Sequence, residues 1–225
     1  WLSDDDVSKH PQIAGDPQLA KNWVNSGCDN SYSTGLVCKN KKLVQMFMSS
    51  QLAHYKWVFR LMDDTFVHPE NAWDFLSTLN ASEPALIGER FCHPDFEFPT
   101  GGPGLAVSRG LIDTFDKNVW NDIAGHVTVK EGVFDDLVWG QYLKRQNIPL
   151  THHNGFSQVP ASHANPLFNY IMARQKWNLD FRPIAYHQGP NKLIYMPQIQ
   201  DTLHRLPYDE LDEHMLKVLP CKCWP

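Results

Sequence analysis

The sequence predicts an α/β fold with a mainly parallel sheet covered on both faces. Three observations predict it. Short apolar runs alternate with segments of helical spacing, 42% of the 225 residues are hydrophobic, and no repeat, low-complexity tract or linker divides the chain. The opening W-L-S reads as the end of a strand entering an acidic loop, D-D-D, so an element upstream of Trp1 is expected. Asp16 to Ser26 reads as a short helix opened by Asp16 and Pro17. Lys39 to Tyr55 has Leu43, Val44, Phe47, Met48 and Leu52 at helical spacing. Trp57 to Met62 is a strand, and His68 to Asn80 a helix with Pro69 in its first turn. Ala85 to Gly88 is a short strand. Cys92 to Gly104, rich in Pro and Gly, reads as loop. Leu105 to Val107 is a strand, and Ser108 caps a helix running to about Phe115. Phe134 to Arg145 is a helix, Pro149 to His152 and Pro183 to His187 are strands, and one short helix follows Leu206.

Bulk properties narrow the function classes. Net charge is -5, sequence pI is near 6.1, and no long basic run occurs, which argues against a nucleic-acid binder. No stretch approaches the roughly 18 apolar residues of a membrane span, and the first residues are not a signal peptide. Eight Trp and sixteen Pro imply shaped loops and aromatic-lined clefts, or aromatic cores. Of five cysteines, Cys28 and Cys38 enclose a polar loop of the kind a disulfide staples. No paired C-x-x-C units favour zinc. With the sequon Asn80-Ala81-Ser82, the pair favours a secretory-pathway lumen.

Four stretches have residues suited to chemistry. In F-R-L-M-D-D-T-F-V an apolar strand ends on Asp63 and Asp64. Such a carboxylate pair can hold a hard divalent cation; capping the helix near His68 is the alternative. In F-P-T-G-G-P-G-L-A-V-S, Gly101, Gly102 and Gly104 allow close backbone approach or a tight turn, and neither a dinucleotide fingerprint nor a P-loop is present. In E-G-V-F-D-D-L-V-W-G, Asp135 and Asp136 open a helix, either as N-terminal charges or with Asp136 as a general base. In I-A-Y-H-Q-G-P, His187 ends a strand before a Gly-Pro break, and His152 and His153 compete with it as ligand candidates.

In this order the four stretches resemble the fringe-like inverting β-1,3-glycosyltransferases, the group that includes the core 1 galactosyltransferase and β-1,3-N-acetylglucosaminyltransferases. The likeness lies in W-V-F-R-L-M-D-D-T-F-V against a strand ending in D-D-D, in the glycine turn leading to S-R-G, in D-D-x-x-x-G (Asp135, Asp136, Gly140), and in Y-H-Q-G-P. The S-G-C…C-K spacing and the C-W-P tail also look similar to fringes. The resemblance implies a GT-A fold, with residues 1–225 as one catalytic domain incomplete at its N-terminus. It implies Asp64 and His187 as ligands of manganese or another divalent cation. Asp63, Gly101 and Gly102 would lie beside a UDP-sugar donor, and Asp136 would be the catalytic base, ionised at neutral pH, with Asp135 tuning it.

The implied reaction is a single displacement that moves a sugar from UDP to a hydroxyl of a glycan or glycoprotein acceptor, inverting the anomeric centre. UDP-GlcNAc ranks first as donor and UDP-Gal second. The implied setting is the secretory lumen, as a Golgi type II membrane protein anchored through an upstream segment, or as a secreted enzyme. Three residues depart from the pattern. Met62 replaces the first acid of D-D-D, Pro103 replaces an Ala, and Leu137 replaces a cysteine. Met62 supports a rival reading, a non-catalytic member that binds glycan or protein. A metal-dependent phosphoester hydrolase built on Asp63, Asp64 and His187 is a third, short of the acids and histidines that two metals need.

Overall fold

The structure is a computed structural model and describes residues 2–3, 6–49, 52–62, 64–126, 134–153, 155–158 and 184–187. Its main sheet has four strands: β3 (Trp57–Arg60), β8 (Leu105–Ser108), β5 (Leu86–Gly88) and β9 (Leu150–His152), in that spatial order. β8 runs antiparallel to both neighbours, and only β5 and β9 pair in parallel. The sheet is therefore mixed, not mainly parallel as the sequence predicts. The cause lies in the Pro/Gly-rich stretch after β5. Parallel neighbours need a crossover, usually helical. Here residues 89–104 form instead an antiparallel hairpin of β6 (Arg90–Cys92) and β7 (Glu97–Pro99), which returns the chain reversed.

Both faces of the main sheet are covered, because alternate side chains feed two cores. Val58, Leu86, Leu105 and Val107 join one core with residues of α3 (Thr34–Phe47), α6 (Lys117–His126) and α7 (Asp135–Gln146). Trp57, Phe59, Ile87 and Ala106 join the other, under α4 (Pro69–Ser77) and beside Phe156, Ile184 and Ala185. Trp120 and Trp139 meet edge to face at 4.8 Å within the first core, so these two tryptophans are core residues and not cleft walls. A second sheet orders β10 (Phe156–Gln158), β11 (Ala185–His187) and β4 (Thr65–Val67). In its register His187 lies across from Gln158 on one side and Thr65 on the other.

Several boundaries move. The predicted helix at 16–26 is only α2 (Pro17–Ala20), followed by β2 (Val24–Asn25), which pairs in parallel with β1 (Leu2–Ser3). The helix predicted at 39–55 starts earlier and ends at Phe47. Its last carbonyl is closed by Arg109, which donates to Phe47 O at 2.7 Å, to Leu52 O at 2.7 Å and to Tyr55 O. Ser108 caps α5 (Arg109–Asp113) by accepting from Leu111 N at 3.1 Å. The S-R-G stretch is thus structural at its first two positions. Its Gly110 lies where a Cβ would meet Ser82 O at 2.3 Å. The helix predicted after Leu206 lies outside the described residues, as do Cys221 and Cys223.

Candidate active site

The site forms where the two sheets meet. Arg60 ends β3 and is buried, an expensive place for a cation without partners. It donates to Asp135 Oδ2 and to Gly101 O, both at 2.5 Å. Asp135 also accepts from Asn40 Nδ2 at 2.8 Å, and Asn40 Oδ1 accepts from Trp139 Nε1 at 3.1 Å. Asp135 is therefore a buried anchor that fixes the start of α7 to the end of β3 and to α3. Sequence reasoning missed Arg60 and Asn40. A lone Arg closing an apolar strand was the available signal, but it also fits an exposed strand end.

Asp136 is more exposed than Asp135, and its Oδ1 accepts from the Leu137 backbone at 2.8 Å. Burial raises its pKa first and the charge of Asp135 second, while backbone hydrogen bonding and Arg60 pull the other way; the result is about 7. The raised value places the carboxyl's titration close to neutral pH, the range in which a general base works.

Asp64 immediately precedes β4, and its Oδ2 lies 2.9 Å from His187 Nε2. Asp64 Oδ1 is buried without a hydrogen-bond partner. Capping of α4 does not account for Asp64, since the N-cap is His68 and its side chain makes no cap bond. His187 Nδ1 contacts Gln158 Nε2 at 2.8 Å, which orients the ring, and Gln158 Oε1 accepts from Thr100 Oγ1 at 3.2 Å. Gln158 also was not foreseen. The competing histidines go elsewhere. His153 is buried against Phe75, its Nδ1 accepts from Gly155 N at 3.0 Å, and burial holds its pKa down to about 4. His152 Nδ1 accepts from Arg90 N at 3.1 Å. Asp63 lies outside the described residues.

Between the two acid clusters runs the Gly101-Gly102 turn. A Cβ on Gly101 would stand 3.3 Å from Arg60 and 3.8 Å from Asp136 Cβ; one on Gly102 would stand 2.7 Å from His187 Cγ and 2.0 Å from Gln158 Oε1. Thr65 Oγ1 donates to Gly102 O at 2.6 Å and accepts from Met62 N at 3.2 Å. One glycine turn thus touches Asp136 on one side and His187 on the other. A family model described as Fringe-like matches residues 3–193.

The chain belongs to the Fringe-like family.

Among the relatives of this Fringe-like chain, human chondroitin sulfate synthase 3 is 23% identical over 221 residues, covering 80% of the chain and 25% of the relative. Human beta-1,3-glucosyltransferase is 23% identical, covering 70% and 32%. The beta-1,3-N-acetylglucosaminyltransferase lunatic fringe of Gallus gallus is 26% identical, covering 71% and 50%. The chain thus spans between 25% and 50% of the length of these relatives.

Asp64 and His187 are chemically suited to a divalent cation. A buried carboxylate oxygen without a partner is costly, and a cation would satisfy it. Carboxylate suits manganese and magnesium, and imidazole is the ligand of first-row transition metals. Among the described residues no three His, Cys, Asp or Glu side chains gather as a metal site. Two protein ligands suffice when water and phosphate oxygens complete the shell.

Proposed function

We propose that this chain is the catalytic domain, of GT-A type, of an inverting β-1,3-glycosyltransferase that takes its sugar from a UDP-sugar donor. The observation that carries the reading is the Gly101-Gly102 turn, with a base candidate at one end and a cation-binding pair at the other. Family membership and relatives named as β-1,3-sugar transferases agree with it.

Asp64 and His187 would hold manganese. When bound, the cation supplies charge stabilisation to the departing diphosphate. Gln158 holds the His187 ring in place, and the glycine turn lets a ligand approach the backbone. Asp136 takes the proton of the acceptor hydroxyl as its oxygen bonds to the anomeric carbon from the face opposite UDP. The bond from that carbon to the diphosphate oxygen breaks, UDP leaves, and an α-linked donor gives a β-linked product. One base suffices because the diphosphate leaves as an anion that the cation would stabilise, so no second carboxyl group is needed to protonate it, unlike in hydrolases. Arg60 and Asp135 keep the base beside the turn. Asp63 is assigned with Gly101 and Gly102 to the donor side.

The setting we infer is the secretory lumen, as a Golgi type II or secreted protein. All three described cysteines are in disulfides, Cys28–Cys38 among them, which suits an oxidising compartment. No helix of the described residues is long and apolar enough to cross a membrane, so any anchor would come from another segment.

A panel of UDP-sugars tests the reading. With manganese, one donor, UDP-GlcNAc or UDP-Gal first, should release UDP, and EDTA or Asp64→Asn should stop it. No release from any donor, with UDP and glycan binding intact, would favour a non-catalytic binding module.

A further inference from the structure

We propose that Tyr32 is the stacking platform for the acceptor sugar, a role that rests on the transferase reading. Tyr32 is 75% exposed, so its ring is open to a ligand. Its loop is nevertheless built to hold it still. The Cys28–Cys38 disulfide closes the loop. Asp29 Oδ1 accepts from Ser31 N at 2.8 Å, and Asp29 Oδ2 accepts from Thr34 Oγ1 at 3.2 Å. Ser31 Oγ accepts from Gly35 N at 2.7 Å and meets Thr34 Oγ1 at 2.7 Å. Gly35 itself is packed so closely that a Cβ would meet Asp29 O at 2.4 Å. Such fixing costs chain entropy and returns little packing to Tyr32 itself.

The ring stands at the base. It meets Phe134 edge to face at 5.9 Å, and Phe134 is the N-cap residue immediately before Asp135 and Asp136. Phe134 in turn packs on the core, so the pair is anchored from below. Tyr32 also feels the charges of Asp135, Asp136 and Asp64, in that order, which add to partial burial in raising its phenol pKa. A general base must reach the proton it takes. The sugar bearing that hydroxyl consequently sits over Asp136, on the side of the Tyr32–Phe134 pair. Tyrosine offers a rigid, amphipathic face at low entropy cost, which suits the apolar face of a pyranose. The donor's diphosphate belongs on the other side of the glycine turn.

The test compares wild type, Tyr32→Ala, Tyr32→Trp and Trp73→Ala, the last removing a similarly exposed aromatic (73%) on α4. Methyl glycosides of galactose, fucose, glucuronic acid and N-acetylgalactosamine serve as probes, with UDP and manganese present. Saturation-transfer NMR should show a glycoside bound to wild type, lost in Tyr32→Ala and kept in Tyr32→Trp and Trp73→Ala. In transfer assays Tyr32→Ala should raise the acceptor KM roughly tenfold, the size of one aromatic contact, and leave donor KM and Tm unchanged. Tyr32-dependent binding without transfer would retain the platform and sink the transferase reading. Transfer with an unchanged acceptor KM in Tyr32→Ala, or no glycoside bound to wild type, would overturn the platform.

Discussion

At the scale of single residues, the two acids that open α7 divide their labour. Asp135 spends its charge on Arg60 and Asn40, while Asp136 carries the raised pKa of about 7. Raising an acid's folded pKa above its unfolded value, about 4, favours the neutral form in the folded state. Its stabilising contribution is therefore complete below about pH 4 and is lost as pH rises through about 7. Two outcomes follow for Asp136→Asn. Turnover should fall about 10²- to 10⁴-fold, the usual share of a general base. Thermal stability should exceed wild type at pH 8, by on the order of a few kcal/mol at most, with the gap closing towards pH 4. In wild type, kcat/KM for the acceptor should rise with an apparent pKa near 7. Retained turnover in Asp136→Asn would remove Asp136 as the base. The acids and His187 were legible in the sequence because each closes or opens an apolar segment. Arg60 was not, since its partner lies 75 residues further on and only the fold brings them together.

At the scale of elements, glycines separate structure from site. Gly140 sits in α7 where a Cβ would meet Phe98 Cβ at 2.5 Å and Glu97 O at 2.6 Å, so it sets the contact between α7 and β7. Gly102 does the same for the turn against β10 and β11. A Cβ there would strike His187 Cγ at 2.7 Å, an atom that cannot swing aside as the Gln158 amide can. Gly140→Ala should cost about 1–3 kcal/mol by overpacking, read as a lowered denaturation midpoint, and leave the manganese dependence of the remaining activity unchanged. Gly102→Ala should instead weaken manganese-dependent UDP binding in calorimetry with a smaller loss of stability. Equal stability losses with normal UDP binding in both would mean that the turn is only a connector. The strands of the main sheet and β11 were readable from apolar runs, but β2, β4, β6, β7 and β10 were not, and neither was pairing direction. Three-residue strands such as β6 and β7 have too few side chains to show alternation, and their Pro and Gly read as loop. The hairpin they form is what reverses β8.

At the scale of the whole molecule, the site depends on segments far apart in the chain being held in one frame. Asp64, Gly101-Gly102, Asp136 and His187 come from four stretches, and the two sheets with the cores on either face of the main sheet hold them in one frame. A fifth stretch, the Cys28–Cys38 loop, is joined to α3 and meets the start of α7 through Tyr32 and Phe134. This loop was legible as a disulfide from its spacing, but its position beside Asp136 was not, because nothing local links residues 32 and 134. The bond encloses a short loop, with a sequence separation of 10, so its chain-entropy contribution is modest. Replacing both cysteines by serine should cost about 2–3 kcal/mol. For a chain of this size that lowers Tm by roughly 5–10 °C. Val37 and Val44 still hold α3 in the main core, so the variant should remain folded with cooperative unfolding. Its UDP release without acceptor should match wild type, since Asp64 and His187 sit in the other sheet. Transfer to acceptor should fall more than release, because the loop that positions Tyr32 is loosened. Scanning calorimetry and the two assays on one preparation decide it: equal losses in release and transfer would mean that the loop supports the domain as a whole and has no separate part at the acceptor side.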